Sequence, residues 1–232
     1  MKASEELVHQ IVQTFRTNTQ ESNRPAMEAY MKHHFVFYGI KTPERNKLLR
    51  PILKEYKSIS QTERMEAAFL LFSRDERENH YAALSLLEKG AKNIPRSAIG
   101  AYHELLQTKP WWDTVDMIAS KLCGRYFKQY PEYLVSITES WRNSPNMWVR
   151  RSSLLHQLSY KTDTNKDLLF STIDQLKDEK EFFIEKAIGW SLREYSKTSP
   201  KEVVAFLETT ECRPLSRREG LKWMKKKGLL HT

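Results

Sequence analysis

Apolar side chains recur along this chain at spacings of three and four. Leu7, Ile11 and Phe15 repeat at four and define one face of a helix. Thr42-Pro43-Glu44 reads as an N-cap followed by proline at the first helical position. Ser60 with Glu63 matches a capping box. Pro95 precedes a helical pattern of Ile99, Tyr102, Leu105 and Leu106, and Pro131, Pro145 and Pro200 mark later boundaries. Pro51 falls inside an apolar-periodic run, where it predicts a kink or an early stop. Strand-like alternation is hard to find, and glycine is scarce, with seven in the chain. The pattern predicts an all-α chain of about a dozen helices, each about 10–15 residues long.

The helical pattern also repeats. Tyr81-Ala82-Ala83-Leu84, Val115-Asp116-Met117-Ile118, Arg151-Ser152-Ser153-Leu154 and Lys186-Ala187-Ile188-Gly189 align so that Ala82, Asp116, Ser152 and Ala187 stand 34, 36 and 35 residues apart. Such a period marks a stacked helical array. No tetratricopeptide consensus is evident, so the expected fold is an α-solenoid of HEAT-like antiparallel helix pairs. No linker rich in Gly, Pro or Ser divides the chain, and one domain over residues 1–232 is expected. Asp116 stands where the other repeats carry Ala, Ser and Ala, small residues that suit close helix packing. A carboxylate there points to a local purpose, against the plainer reading of a surface aspartate.

Composition narrows the class. With 232 residues and 40% hydrophobic content, the chain can bury a sizeable core. It carries a formal net charge of +9, for which nucleic acid is the default partner, although an acidic protein or a membrane surface would also satisfy the charge. No apolar run reaches the length of a membrane span, and MKASEELVHQ lacks the apolar region of a signal peptide. Cys123 and Cys212 are too few for a disulfide framework, a zinc site or an iron–sulfur cluster, so they read as core thiols in a reducing cytoplasm. His33 and His34 are adjacent and match no metal spacing. The phosphate-cradling GxxxxGK[ST] and GxGxxG loops and the GxSxG elbow are absent. No metal and no cofactor, nucleotide cofactors included, is therefore expected.

The densest candidate chemistry is Trp111-Trp112-Asp113-Thr114-Val115-Asp116. In a helix, Trp112 and Asp116 share a face one turn apart and set a π-face beside a carboxylate, a site for something cationic. The alternative packs the tryptophan in the core and uses an aspartate as a cap. Met147-Trp148-Val149-Arg150-Arg151 opens another predicted helix, and Lys186, Trp190 and Arg193 share a face of a third. Arg151, Lys186 and Arg193 would then meet successive phosphates of one duplex. Against this stand core tryptophans and solvated charges. The same holds for the basic segment from Arg213 to Lys227, in which Glu219 is the only acid.

Four stretches, EAYMKHHFVFYGIKTPERNKLL (28–49), TKPWWDTVDMI (108–118), NMWVRRSSLLHQL (146–158) and KEFFIEKAIGWSLREYSKTSP (180–200), together resemble the AlkD-like DNA alkylation repair glycosylases of bacteria. The resemblance runs through about residues 30–227. It implies a HEAT-like α-solenoid and excision of purines that carry positive charge at N3 or N7. It also implies a catalytic group of Asp116, Trp112 and Trp190. DNA contacts are implied at Arg151, Arg193 and Tyr30, and expected with them at Lys186, Arg150, Trp148 and Lys161. Where the family can carry lysine, this chain has Ser159, which removes one possible phosphate contact. The expected activity is hydrolysis of the N-glycosidic bond of an alkylpurine in double-stranded DNA, leaving an abasic site. The enzyme is expected to act as a monomer without lyase activity, in the bacterial cytoplasm at the nucleoid. The rival is a non-catalytic HEAT-repeat scaffold that binds DNA. A more distant one is a protein scaffold for an acidic partner.

Overall fold

The computed structural model describes residues 2–90 and 94–230. Helices make up their regular structure, and an isolated bridge between Val36 and Glu76 is the extended pairing among these residues. The chain groups into two compact units, one through Ala101 and one from Tyr102 onward.

The first unit carries α1 (Ala3–Thr17), α2 (Arg24–Tyr30), α3 (Thr42–Glu55), α4 (Gln61–Phe72) and α5 (Arg77–Gly90). Leu7, Ile11 and Phe15 are fully buried, as their spacing predicts. The Ser60–Glu63 capping box forms: Glu63 N–H donates to Ser60 Oγ at 3.1 Å, and Ser60 N–H donates to Glu63 Oε2 at 2.9 Å. α3 departs from expectation at both ends of its argument. Lys41 is its N-cap and Thr42 its first residue, and the helix runs on through Pro51 to Glu55. One missing amide costs α3 less than ending there, because Leu49, Ile52 and Leu53 on either side are buried. Glu78 of α5 is fully buried and accepts the backbone N–H groups of Tyr38, Gly39 and Ile40 at 3.0, 2.9 and 2.9 Å. That pins the loop before α3. Gly39 there has φ +88°, and a Cβ would lie 2.1 Å from Gln20 O, so no other residue fits.

α6 spans Ala98–Leu105. The second unit continues with α7 (Trp112–Met117), a π-helical segment (Ile118–Cys123), α8 (Gly124–Gln129), α9 (Leu134–Arg142) and α10 (Met147–Leu155). α11 (Lys166–Leu176), α12 (Phe182–Ser196), α13 (Pro200–Thr209) and α14 (Pro214–Lys226) complete it. α9 packs on α10, and α12 packs on α10, α13 and α14. Leu154, Leu155, Ile173, Ile184, Ile188, Leu192 and Met224 form its core. Helix pairs of this kind are the α-solenoid, HEAT-like class that the periodicity predicts. The small repeat residues Ala82, Ser152 and Ala187 are wholly buried, as close packing requires. Asp116, their odd counterpart, is only partly buried. Cys123 and Cys212 are buried free thiols. No described helix is long and apolar enough to cross a membrane.

Candidate active site

Asp116 reaches its position through an irregular helix. Trp111 is extended, with φ −156° and ψ 163°, and serves as the N-cap of α7. Trp112 is thus the first helical residue, and Asp116 follows one turn later on the same face. Immediately after, the helix widens into the π segment, a feature often found beside functional groups. Ser120 within it donates its hydroxyl to Asp116 O at 2.6 Å. The segment ends at Gly124, where a Cβ would lie 2.5 Å from His156 O. This helix and the end of α10 approach so closely there that only glycine is accommodated.

Arg151 of α10 closes on Asp116 as a fork. Its Nε donates to Oδ1 at 2.8 Å and Nη2 to Oδ2 at 2.9 Å. A third donor, Nη1, reaches the carbonyl of Phe183. Arg151 is only 4% exposed. The Asp116 side chain keeps 15% of its surface, toward a cleft of about 320 Å³. Burial pushes the Asp116 carboxyl above the usual aspartate value, while the Arg151 bonds and charge oppose the rise. Two-point pairing favours the ionised carboxylate. Each of its oxygens keeps a second lone pair for another donor.

Aromatic rings support and line the cleft. Trp111, Trp148 and Phe183 pack on one another, with centroids 5.5, 5.1 and 4.9 Å apart. Trp112, Trp190, Phe182 and Phe183 face the cleft itself. Phe182 begins α12 and is 57% exposed, a high value for a ring of its size. Lys186, Trp190 and Arg193 occupy one face of α12. Glu219 of α14 meets that face. Its Oε1 lies 3.1 Å from Lys186 Nζ, and its Oε2 accepts from Arg193 Nη1 at 2.9 Å. Among the charged residues lining the cleft, three cations therefore face two carboxylates.

The fold brings together Asp116, Trp112, Trp190, Arg151, Lys186 and Arg193 in this one cleft. The other expected DNA-contact residues lie elsewhere. Trp148 is buried behind Arg151, in ring contact with Trp111 and Phe183, so it supports the site from within. Arg150 donates to both oxygens of Glu179 and to the carbonyls of Ser144 and Pro145, which commits its guanidinium to the turn before α10. Lys161 is exposed and borders a separate cavity with Ser159 and Lys197. Tyr30 ends α2 in the first unit and is 67% exposed. Arg151 itself, expected on a phosphate, spends three donors inside the protein. Sequence reasoning missed Phe182, Phe183 and Glu219 as members of the cleft. The only signals were the aromatic doublet ahead of Lys186 and the solitary acid in a basic helix. Among the described residues, no group of three or more His, Cys, Asp or Glu side chains is arranged to hold a metal.

Comparison with known proteins follows the same line. The family model described as DNA alkylation repair enzyme matches residues 11–224. A solved protein from Enterococcus faecalis, described as a predicted DNA alkylation repair enzyme, is 36% identical. The match covers 88% of this chain and 96% of that one, with a TM-score of 0.83. Two proteins of Streptococcus mutans, AlkD2 and smu.31, share the fold at 20% identity. For AlkD2 the TM-score is 0.60, with 81% of this chain and 90% of that one covered; for smu.31 it is 0.59, with 76% and 90% covered. No curated protein matches the chain. A match over nearly the whole length, together with the close Enterococcus structure, means that this chain belongs to the DNA alkylation repair enzyme family.

Proposed function

We propose that the chain is a DNA glycosylase that hydrolyses the N-glycosidic bond of cationic N3- or N7-alkylated purines in duplex DNA. The observation that carries this reading is the Asp116 carboxylate, held by Arg151 at the edge of an aromatic-walled cleft. An alkylated purine already bears positive charge, so it can leave as a neutral base without a general acid. What remains is to stabilise positive charge growing at C1′ and to direct water onto it. Water oxygen bonds to C1′ as the C1′–N bond breaks. The bonding pair passes to the base and neutralises it, and the water proton moves to Asp116 and on to solvent. Burial raises the Asp116 carboxyl above its ordinary value, which makes it a stronger base for that proton, while the Arg151 fork favours its ionised form.

Trp112 and Trp190 supply π-faces to the cationic nucleotide, worth up to about 2 kcal/mol when desolvated. Lys186 and Arg193 suit the DNA backbone, as do the two guanidinium donors that Arg151 does not spend inside the protein. One net positive charge in the cleft suits a phosphate better than the cationic base, so recognition of the base falls to the rings. Exposed Tyr30 and Lys161 are further candidates for backbone contact. Arg150 and Trp148 serve as scaffolding. The activity needs no cofactor, and we assign it to a monomer with a single domain. The test is release of N7-methylguanine from a duplex by the wild type and by Asp116→Asn. Equal release by both would refute Asp116 as the catalytic carboxylate. A non-catalytic scaffold would bind the duplex and release nothing.

A further inference from the structure

α12 and α14 cross at two glycines, and that crossing has a consequence for the cleft. A Cβ on Gly189 would lie 2.5 Å from Glu219 Cβ and 2.9 Å from Ser216 O. A Cβ on Gly220 would lie 3.1 Å from Leu192 Cβ. The helices are fastened beside this point, where Ser216 Oγ donates to Glu185 O at 3.1 Å and Arg213 pairs with Glu185 at 3.1 Å. Gly189 sits midway between Lys186 and Arg193. Those residues are seven apart, about 10.5 Å along the helix axis. A carboxylate entering over Gly189 can hold both, and Glu219 does. Its side chain is 11% exposed, and Lys222 stands 4.0 Å away as a third, more distant cation. Neither Lys186 nor Arg193 needs Glu219 for solubility, since both keep access to water. Glu219 therefore sits where it sets the positions of two cations that line the cleft.

We propose that Glu219 is a positioning residue of the cleft. It draws the tips of Lys186 and Arg193 to one place, where they take a single phosphate of the damaged strand. Its negative charge also restrains binding to undamaged DNA. This rests on the glycosylase reading for its catalytic half only. Affinity for undamaged duplex tests the other half without reference to excision.

The experiment uses the full chain with Glu219→Gln, which keeps shape and removes charge. An undamaged duplex oligonucleotide is the binding probe and an N7-methylguanine duplex the reaction probe. Undamaged duplex should bind at least about threefold more tightly at low salt. The slope of log affinity against log salt should steepen by about 0.9, one further phosphate's worth. Single-turnover excision should slow about tenfold because the cation tips are no longer held. In a Lys186→Gln background the effect of Glu219→Gln on excision should shrink, since the two act as a unit. Lys186 is partly exposed, so that background does not threaten the fold. Unchanged affinity, slope and excision would overturn the proposal. So would affinity and excision falling together with the melting temperature, which marks a merely structural residue. A wild type that releases no base, with the affinity response intact, would sink the glycosylase reading and leave Glu219's effect on DNA binding standing.

Discussion

Arg151→Ala separates two roles for the same residue. The change deletes two hydrogen bonds to Asp116 and one to the Phe183 carbonyl, and leaves a carboxylate with 15% of its side-chain surface in a site built for a pair. Breaking one side of a buried pair costs about 3–5 kcal/mol. Asp116 keeps an edge on the cleft, so we expect the lower end, about 3 kcal/mol. Denaturant unfolding at neutral pH measures this as a lower midpoint at unchanged m-value. In an Asp116→Asn background the same substitution should cost distinctly less, because no charge is left stranded. The pH dependence gives a second check. Without Arg151, the opposition to burial is gone and the Asp116 carboxyl rises further. A carboxyl raised in the folded state penalises folding fully above its folded pKa, and the penalty vanishes only as pH falls below its unfolded value, so the deficit of Arg151→Ala should narrow as the solution is acidified. A variant with wild-type stability whose only defect is a shallower salt dependence of DNA binding would overturn the pairing role of Arg151. It would make Arg151 purely a phosphate contact.

Other consequences are equally open to measurement. His156 is wholly buried, and burial pushes its imidazole down to about 4, so the folded protein refuses a proton that the unfolded chain accepts. Stability should therefore fall by about 3 kcal/mol as pH drops from about 6.5 toward 4. A His156→Gln variant with an equally steep acid profile would show that other groups cause it. Gly124→Ala places a methyl 2.5 Å from His156 O, and backbone cannot give way as a flexible side chain would. A loss of about 1–3 kcal/mol in denaturant unfolding is expected, and a neutral result would contradict the close approach. Excision should decline in acid with a midpoint above the usual aspartate value, since burial raises Asp116. A midpoint at or below that value would remove Asp116 as the titrating group.

Much of the fold was legible in local chemistry. The capping box at Ser60, the buried stripe of Leu7, Ile11 and Phe15, and the small repeat positions are all one-element signals, and the structure bears them out. Pro51 and Thr42 are less legible, because a helix with buried residues on both sides tolerates a lost amide, and caps are set by backbone angles that sequence fixes only to within a residue. In the site, Trp112 with Asp116 and Lys186 with Trp190 and Arg193 followed from helical spacing. The π segment carries no such signal. Partners from separate helices were harder still. Asp116 with Arg151, and Glu219 with Lys186 and Arg193, are joined by packing across 35, 33 and 26 residues, and periodicity does not say which face meets which. Trp148 and Arg150 show the converse: residue types suited to DNA turned inward because Phe183 and Glu179 met them first.

In the proposed reaction Asp116 drives loss of a cationic purine. Purified protein and its Asp116→Asn variant, incubated at saturating concentration with a duplex carrying one N7-methylguanine, provide the direct measurement. Free N7-methylguanine is expected from the wild type and none above background from the variant, with both binding the duplex. Release by the variant at the wild-type rate, or by neither protein although both bind, would contradict it.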